Sequence, residues 1–191
     1  MSQRLQRLIS RGRTLLEQAT MPEEEYEPAY EVVVFDFDQT LQNRYKPLPC
    51  VEIMRESLLA GVPVYIVTAR KPNKGQEKHI SEVLSWWDIS LDKECIFAVG
   101  DDPKGPYVAD LLGRHQAERL VFYDDKLINC DSVFDTCAHM VEDLQIFHLS
   151  AAVPGDIKME ITKGEEDERL EIKHSLQERK IFREWRRLSS I

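Results

Sequence analysis

The sequence is poor in cysteine, with four in 191 residues. Cys50, Cys95, Cys130 and Cys137 form no CxxC pair and show no zinc or redox spacing. They read as reduced thiols of a reducing compartment. The five histidines (His79, His115, His139, His148, His174) show no metal-ligand spacing and are expected as ordinary surface or core side chains. No apolar run is long enough to cross a bilayer, and no secretory h-region is present, so neither a membrane span nor a secretory leader is expected. A GxxxxGK[ST] loop is also missing, which argues against a fused nucleotide-kinase activity. Positive charge is scarce: 25 Lys and Arg against 34 Asp and Glu give a net charge of −9. That balance disfavours broad, non-specific nucleic-acid binding, which depends on neutralising phosphates, although it leaves room for a local basic patch. There is no internal repeat and no low-complexity tract.

The composition that remains is 42% hydrophobic and 31% charged, that of a soluble globular protein. The length suits one α/β domain with terminal extensions and buries a core without a metal or disulfide staple. Residues 1–30 divide into an amphipathic helix and an acidic linker. Leu5, Leu8, Ile9, Leu15, Leu16 and Ala19 share one helical face, with Arg4, Arg7, Arg11 and Arg13 as the basic residues. A helix packing on the domain or on a partner is the favoured reading, in a cytoplasmic protein; a mitochondrial targeting peptide is the alternative. "MPEEEYEPAYE", Met21 to Glu31, reads as exposed linker.

Residues 31–150 alternate strand-like and helix-like stretches. Val32 to Phe35, "VPVYIVTAR", "CIFAVG", "RLVFYDD" and a segment within Met140 to Leu149 read as five strands. A Pro-rich loop around Pro47 and Pro49 follows the first. Helical patterns run through Val51 to Leu59 and end at Gly61, then through Gln76 to Trp87, "GPYVADLLGRH" and Leu127 to Cys137. The expected architecture is α/β: a Rossmann-like three-layer sandwich with a mostly parallel five-stranded sheet. Residues 151–191 read as a loop followed by a long helix from about Glu165. Its packing stripe would be Ile172, Leu176, Phe182, Trp185 and Leu188. Either terminal helix offers a route to an oligomer.

An open parallel sheet binds ligands at the carboxyl ends of its strands. The first strand here ends in Asp36-Phe37-Asp38, the second in Thr68 and the fourth in Asp124-Asp125; Lys104 follows the third within a few residues. This combination suits phosphoryl transfer. A carboxylate such as Asp36 is a nucleophile able to form an acyl phosphate, but it repels a phosphate dianion. A magnesium ion and a lysine cancel that repulsion, and Asp36 and Asp124 supply the oxygen ligands magnesium prefers. Asp38 is placed to protonate the leaving oxygen and then activate water.

These four stretches resemble the ordered motifs of the haloacid dehalogenase-like (HAD) superfamily of phosphohydrolases. "DFDQT" is similar to its DxDxT motif, Thr68 to its second motif, Lys104 to its third, and Asp124 with Asp125 to its fourth. The resemblance spans Glu31 to Leu149. It implies that Asp36 is nucleophile and magnesium ligand, and that Asp38 is the general acid/base and offers its backbone carbonyl to the metal. It further implies that Thr68 and Lys104 hold the phosphoryl group, that Asp124 ligates magnesium, and that Asp125 is a ligand or supports one. Arg70 is placed to touch substrate or to sit at a helix entrance. Asp101 and Asp102 form a second acidic pair, but reading them as the fourth motif would put Lys104 out of order. Gln39 stands where the motif often has Gly. Neither interval between motifs, Asp36 to Thr68 or Thr68 to Lys104, is long enough for a folded cap domain. The resemblance therefore implies a capless, open-site, magnesium-dependent phosphatase acting on a phosphorylated, even macromolecular, substrate. The alternatives are a nucleic-acid-end (3′-phosphate) phosphatase and a catalytically inactive interaction module.

Overall fold

The computed structural model describes residues 29–73, 75–150, 156–162, 169–170 and 174–175. In chain order the elements are β1 (Glu31–Phe35), the short strands β2 (Gln42–Asn43) and β3 (Lys46–Pro47), α1 (Cys50–Leu59), β4 (Val64–Thr68) and α2 (Gln76–Ser85). A 3₁₀ turn (Lys93–Cys95) then leads to β5 (Ile96–Ala98), α3 (Gly105–His115), β6 (Arg119–Asp124), α4 (Leu127–Cys137) and β7 (Asp143–Leu149). β8 (Asp156–Thr162), β9 (Arg169–Leu170) and β10 (His174–Ser175) follow.

Five parallel strands in the order β5-β4-β1-β6-β7 make the centre of the main sheet. β1 is central, and Val32 to Phe35 are buried on both faces, as a strand covered by helices on either side requires. Alternation divides the core in two. Val33, Phe35 and Phe37 pack with α1 and α2 through Met54, Ile80 and Leu84. Val32 and Val34 pack with α3 and α4 through Val108, Leu111 and Val133. The result is the three-layer α/β sandwich that the sequence implies. Cys50, Cys130 and Cys137 are buried within it, and all four cysteines are free thiols.

Three differences from the sequence reading have physical causes. β2 and β3 form a small hairpin where a Pro-rich loop is expected; two-residue strands leave no periodic signal. β8 extends the sheet antiparallel to β7 in a region read as loop. Its Ile157 and Ile161 are buried at an even spacing, but Pro154, Gly155 and Gly164 around it dominate the local pattern. β9 and β10 both pair with β8, so the chain is extended at Arg169–Leu170 and His174–Ser175 where a helix is expected. The local composition there favours helix, and the edge of β8 overrides it. The amphipathic helix expected in residues 1–19, most of the expected acidic linker and the expected packing stripe from Ile172 to Leu188 lie outside the described residues. Among the described residues no helix is long and apolar enough to cross a membrane.

Candidate active site

The strand order reverses around β1, with β4 and β5 on one side and β6 and β7 on the other. The crevice at the carboxyl ends of β1 and β6 is therefore the switch point where open α/β sheets bind ligands. Asp36 directly follows β1, and its N–H donates to the Tyr123 carbonyl of β6 (2.8 Å). Asp124 is the last residue of β6. Lys104 caps the N-terminus of α3, the crossover that carries the chain past the reversal.

Gly105 determines how close that crossover comes. A Cβ there would lie 2.3 Å from the Ser132 carbonyl oxygen and 2.4 Å from Thr136 Oγ1, both on α4. Its N–H instead donates to Ser132 Oγ (3.1 Å). Only glycine lets α3 start against α4, and this close approach places Lys104 beneath the strand ends. Lys104 is 1% exposed, and its Nζ donates to Asp36 Oδ1 (2.5 Å) and to Asp124 Oδ2 (2.7 Å).

Asp36, Asp124 and Asp125 each bring a carboxylate oxygen within 4.8 Å of the others. Three carboxylates around one ammonium leave two negative charges in a largely buried cluster, a costly arrangement without a counter-charge. Burial above all, and then the Asp124 charge, push the Asp36 carboxyl up to about 7 despite the opposing pull of Lys104. Burial also raises Asp124, against Lys104 and hydrogen bonds from Lys126 and Asn129. Burial and the nearby Asp36 raise Asp125. Burial disfavours the charged form of Lys104, but the two aspartates outweigh it and raise its pKa. An all-oxygen donor set with excess negative charge fits a hard divalent cation such as magnesium.

Asp38 faces a different partner. Arg70 donates to it through Nε (2.7 Å) and Nη2 (2.8 Å), a two-bond fork, while its guanidinium lies 4.7 Å from the centre of the Phe37 ring. Burial would raise the Asp38 carboxyl, but the hydrogen bonds and charge of Arg70 prevail and lower it. Thr68, at the end of β4, is buried, and its Oγ1 accepts the Arg70 backbone N–H (3.4 Å). The fold thus places Asp36, Lys104, Asp124 and Asp125 in one cluster, and Asp38 with Arg70 and Thr68 in an adjoining one. Asp101 and Asp102 stand apart in an exposed loop, where Asp102 accepts a hydrogen bond from Tyr107 (3.3 Å).

Sequence reasoning missed several supporting groups. Asn129 Nδ2 donates to both oxygens of Asp124 (3.0 Å each), and the Lys126 N–H donates to Oδ1 (2.8 Å). An amide in the first turn after an acidic strand end is the signal that would have found Asn129. Gln42 bridges Asp38 to the hairpin: its Nε2 donates to Asp38 Oδ1, and its Oε1 accepts the Tyr45 N–H (2.7 Å). His148, expected to be ordinary, hydrogen-bonds through Nε2 to the Asp125 carbonyl (3.0 Å). Gln39 has φ +64° and donates its N–H to the Gln42 carbonyl (2.7 Å). It therefore forms the left-handed turn after the paired aspartates, a conformation that favours glycine.

No protein-family model matches the chain, and no curated protein matches it. Among solved structures it is similar to a hypothetical protein from Pyrococcus horikoshii (15% identity, 63% of this chain and 42% of that one, TM-score 0.32). It is likewise similar to NagD from E. coli (12% identity, 57% and 40%, TM-score 0.31). A p-nitrophenyl phosphatase from Archaeoglobus fulgidus shows 15% identity over 62% of this chain and 41% of that one, with TM-score 0.33. The chain spans about two fifths of the length of these structures. Similarity of this extent assigns no activity.

Proposed function

We propose that the protein is a magnesium-dependent phosphomonoester hydrolase of the HAD-like type, working through an aspartyl-phosphate at Asp36. The observation that supports this most is the buried Asp36–Lys104–Asp124 arrangement at the switch point of the sheet, with Asp125 completing an all-oxygen cluster.

An Asp36 oxygen attacks phosphorus, and the bond from phosphorus to the leaving oxygen breaks. That oxygen takes a proton from the Asp38 carboxyl and departs as an alcohol. The Asp38 carboxylate then accepts a proton from water as the water oxygen attacks the same phosphorus. The acyl-phosphate bond breaks, and Asp36 is freed along with inorganic phosphate. Lys104 and the Thr68 hydroxyl hold the non-bridging phosphoryl oxygens. Arg70 holds the Asp38 carboxyl below its ordinary value, so Asp38 takes the proton for the first step from solvent as the negatively charged phosphate enters beside it. Asp36, Asp124 and Asp125 would hold magnesium, which supplies counter-charge to the phosphate and to the carboxylates. An open site is supported by what separates the motifs among the described residues: the β2–β3 hairpin, α1 and β4 from Asp36 to Thr68, and α2, a 3₁₀ turn and β5 before Lys104.

The test is release of phosphate from an aryl phosphate. Activity should require magnesium and vanish in Asp36→Asn. Equal release by wild type and that variant would sink the proposal.

A further inference from the structure

We propose that the rim formed by the β2–β3 hairpin and α2 binds single-stranded nucleic acid, so that the phosphate offered to Asp36 is the terminal phosphate of an oligonucleotide. The substrate class rests on the phosphatase reading above; the binding surface stands on separate observations.

The first is the hairpin turn. Its two central residues, Arg44 and Tyr45, have φ +49° and +64°. Positive φ at both positions is the type I′ geometry that Asn-Gly adopts with little strain. A bulky aromatic residue is unfavourable in that conformation, and strained turns of this kind cluster where a side chain must be presented to a ligand. The residues presented here are a cation and a ring.

The second is an exposed set of rings. Tyr45 is 54% exposed and Trp86 64% exposed, with ring centres 6.0 Å apart. His79 meets Tyr45 edge-on at 6.2 Å. Among the described residues Tyr30 is the other aromatic this exposed, whereas Tyr45 and Trp86 are exposed as a pair in contact, in a chain that buries Phe35, Phe37, Phe122 and Tyr123 completely or nearly so.

The third is charge. Arg44, Lys46 and Lys71 are exposed and form no ion pair among the described residues. Glu82, the acid on α2 between His79 and Trp86, has Lys78 at 3.7 Å. In a chain of net charge −9 the hairpin thus carries two uncompensated cations, Arg44 and Lys46, on either side of Tyr45, while α2 carries the acid Glu77 as well as Glu82. The rim is tied to the chemistry, because the Tyr45 N–H donates to Gln42 and Gln42 donates to Asp38. Aromatic faces interleaved with free cations suit bases and backbone phosphates, since every base has a face to stack. A phosphopeptide would use the cations and leave the rings idle.

The experiment measures fluorescence anisotropy of a labelled oligothymidylate with a 3′-phosphate, using full-length Asp36→Asn protein to prevent turnover. Tyr45→Leu and Trp86→Leu, each added to that host, should weaken binding about tenfold, whereas Tyr45→Phe should not. Replacing both Arg44 and Lys46 by Gln should flatten the slope of log affinity against log salt by about 1.4. In the otherwise wild-type chain, Tyr45→Leu and Trp86→Leu should hydrolyse an aryl phosphate as wild type does. The Arg44→Asn, Tyr45→Gly double variant should melt a few degrees higher while binding is lost. Binding unaffected by the ring substitutions, or equal binding of a phosphopeptide of the same charge, would overturn the inference. Aryl-phosphate hydrolysis without oligonucleotide binding would overturn it while leaving the phosphatase reading intact. Oligonucleotide binding without release of the 3′-phosphate by the otherwise wild-type chain would overturn the substrate class, and binding without hydrolysis of either compound would overturn the phosphatase reading with it.

Discussion

Single residues carry the electrostatics of the site. Asp36 and Asp38 lie two positions apart, yet burial and Asp124 raise one while Arg70 lowers the other. Environments that push two carboxyl groups in opposite directions suit a division of labour between them. Asn129 illustrates how a residue that makes no step of its own matters: its amide contacts both oxygens of Asp124 and orients that carboxylate. Loss of such a supporting contact weakens metal binding about 10- to 100-fold in other sites. Asn129→Ala should raise the magnesium concentration for half-maximal activity at least about tenfold, with a smaller loss at saturating metal. A titration of activity against magnesium checks this, and an unchanged midpoint would contradict it.

At the scale of elements, the decisive contact is between two helices. The first turn of α3 meets α4 at Gly105, where a methyl group has no room against the Ser132 carbonyl. That carbonyl is backbone and cannot rotate away, so α3 itself must shift. Gly105→Ala should cost about 1–3 kcal/mol, read from urea unfolding, and should reduce activity as Lys104 moves away from Asp36 and Asp124. A variant with wild-type stability would show that α3 has freedom the packing denies it. The hairpin is the other informative element. Four polar or charged residues and one ring, Gln42 to Lys46, connect Asp38 to the solvent-facing rim.

At the scale of the whole molecule, the cluster couples stability to pH and metal. The folded pKa of Asp36 lies above its unfolded value, and those of Asp124 and Asp125 are shifted the same way. The folded protein therefore keeps protons that the unfolded chain has released. The contribution of Asp36 to stability is complete below the ordinary carboxylate range and is lost as pH rises to about 7. A divalent cation needs the ionised carboxylates and removes this penalty. Magnesium should therefore raise Tm more at about pH 8 than at about pH 5, and Asp36→Asn should shrink the difference. Thermal melts with magnesium and with chelator at both pH values test this; an equal rise at both would contradict it.

Much of the fold was legible along the chain because its signals are local. Val32 to Phe35 is a continuous apolar run, as a strand buried on both faces demands, and the polar residues that follow it mark the carboxyl edge of the sheet. The order Asp36, Thr68, Lys104, Asp124 was visible for the same reason: each stands at the boundary of a periodic element. β8 to β10 were not, because two of the three strands have no period of their own and exist through pairing with the edge of the third. Nor was the role of Gln39, which depends on a backbone angle rather than on a side-chain pattern.

The alternation of strands and helices and the polar strand ends follow from the order of residues alone, since backbone periodicity is a property of neighbours along the chain. Folding in three dimensions is what makes Lys104 bridge Asp36 and Asp124, gives Asp38 to Arg70, sets Asn129 and His148 against the acidic pair, and brings Tyr45 to Trp86. Most of these contacts join residues far apart in the chain. Their geometry follows from strand order and helix packing, which bring distant side chains to one edge of the sheet.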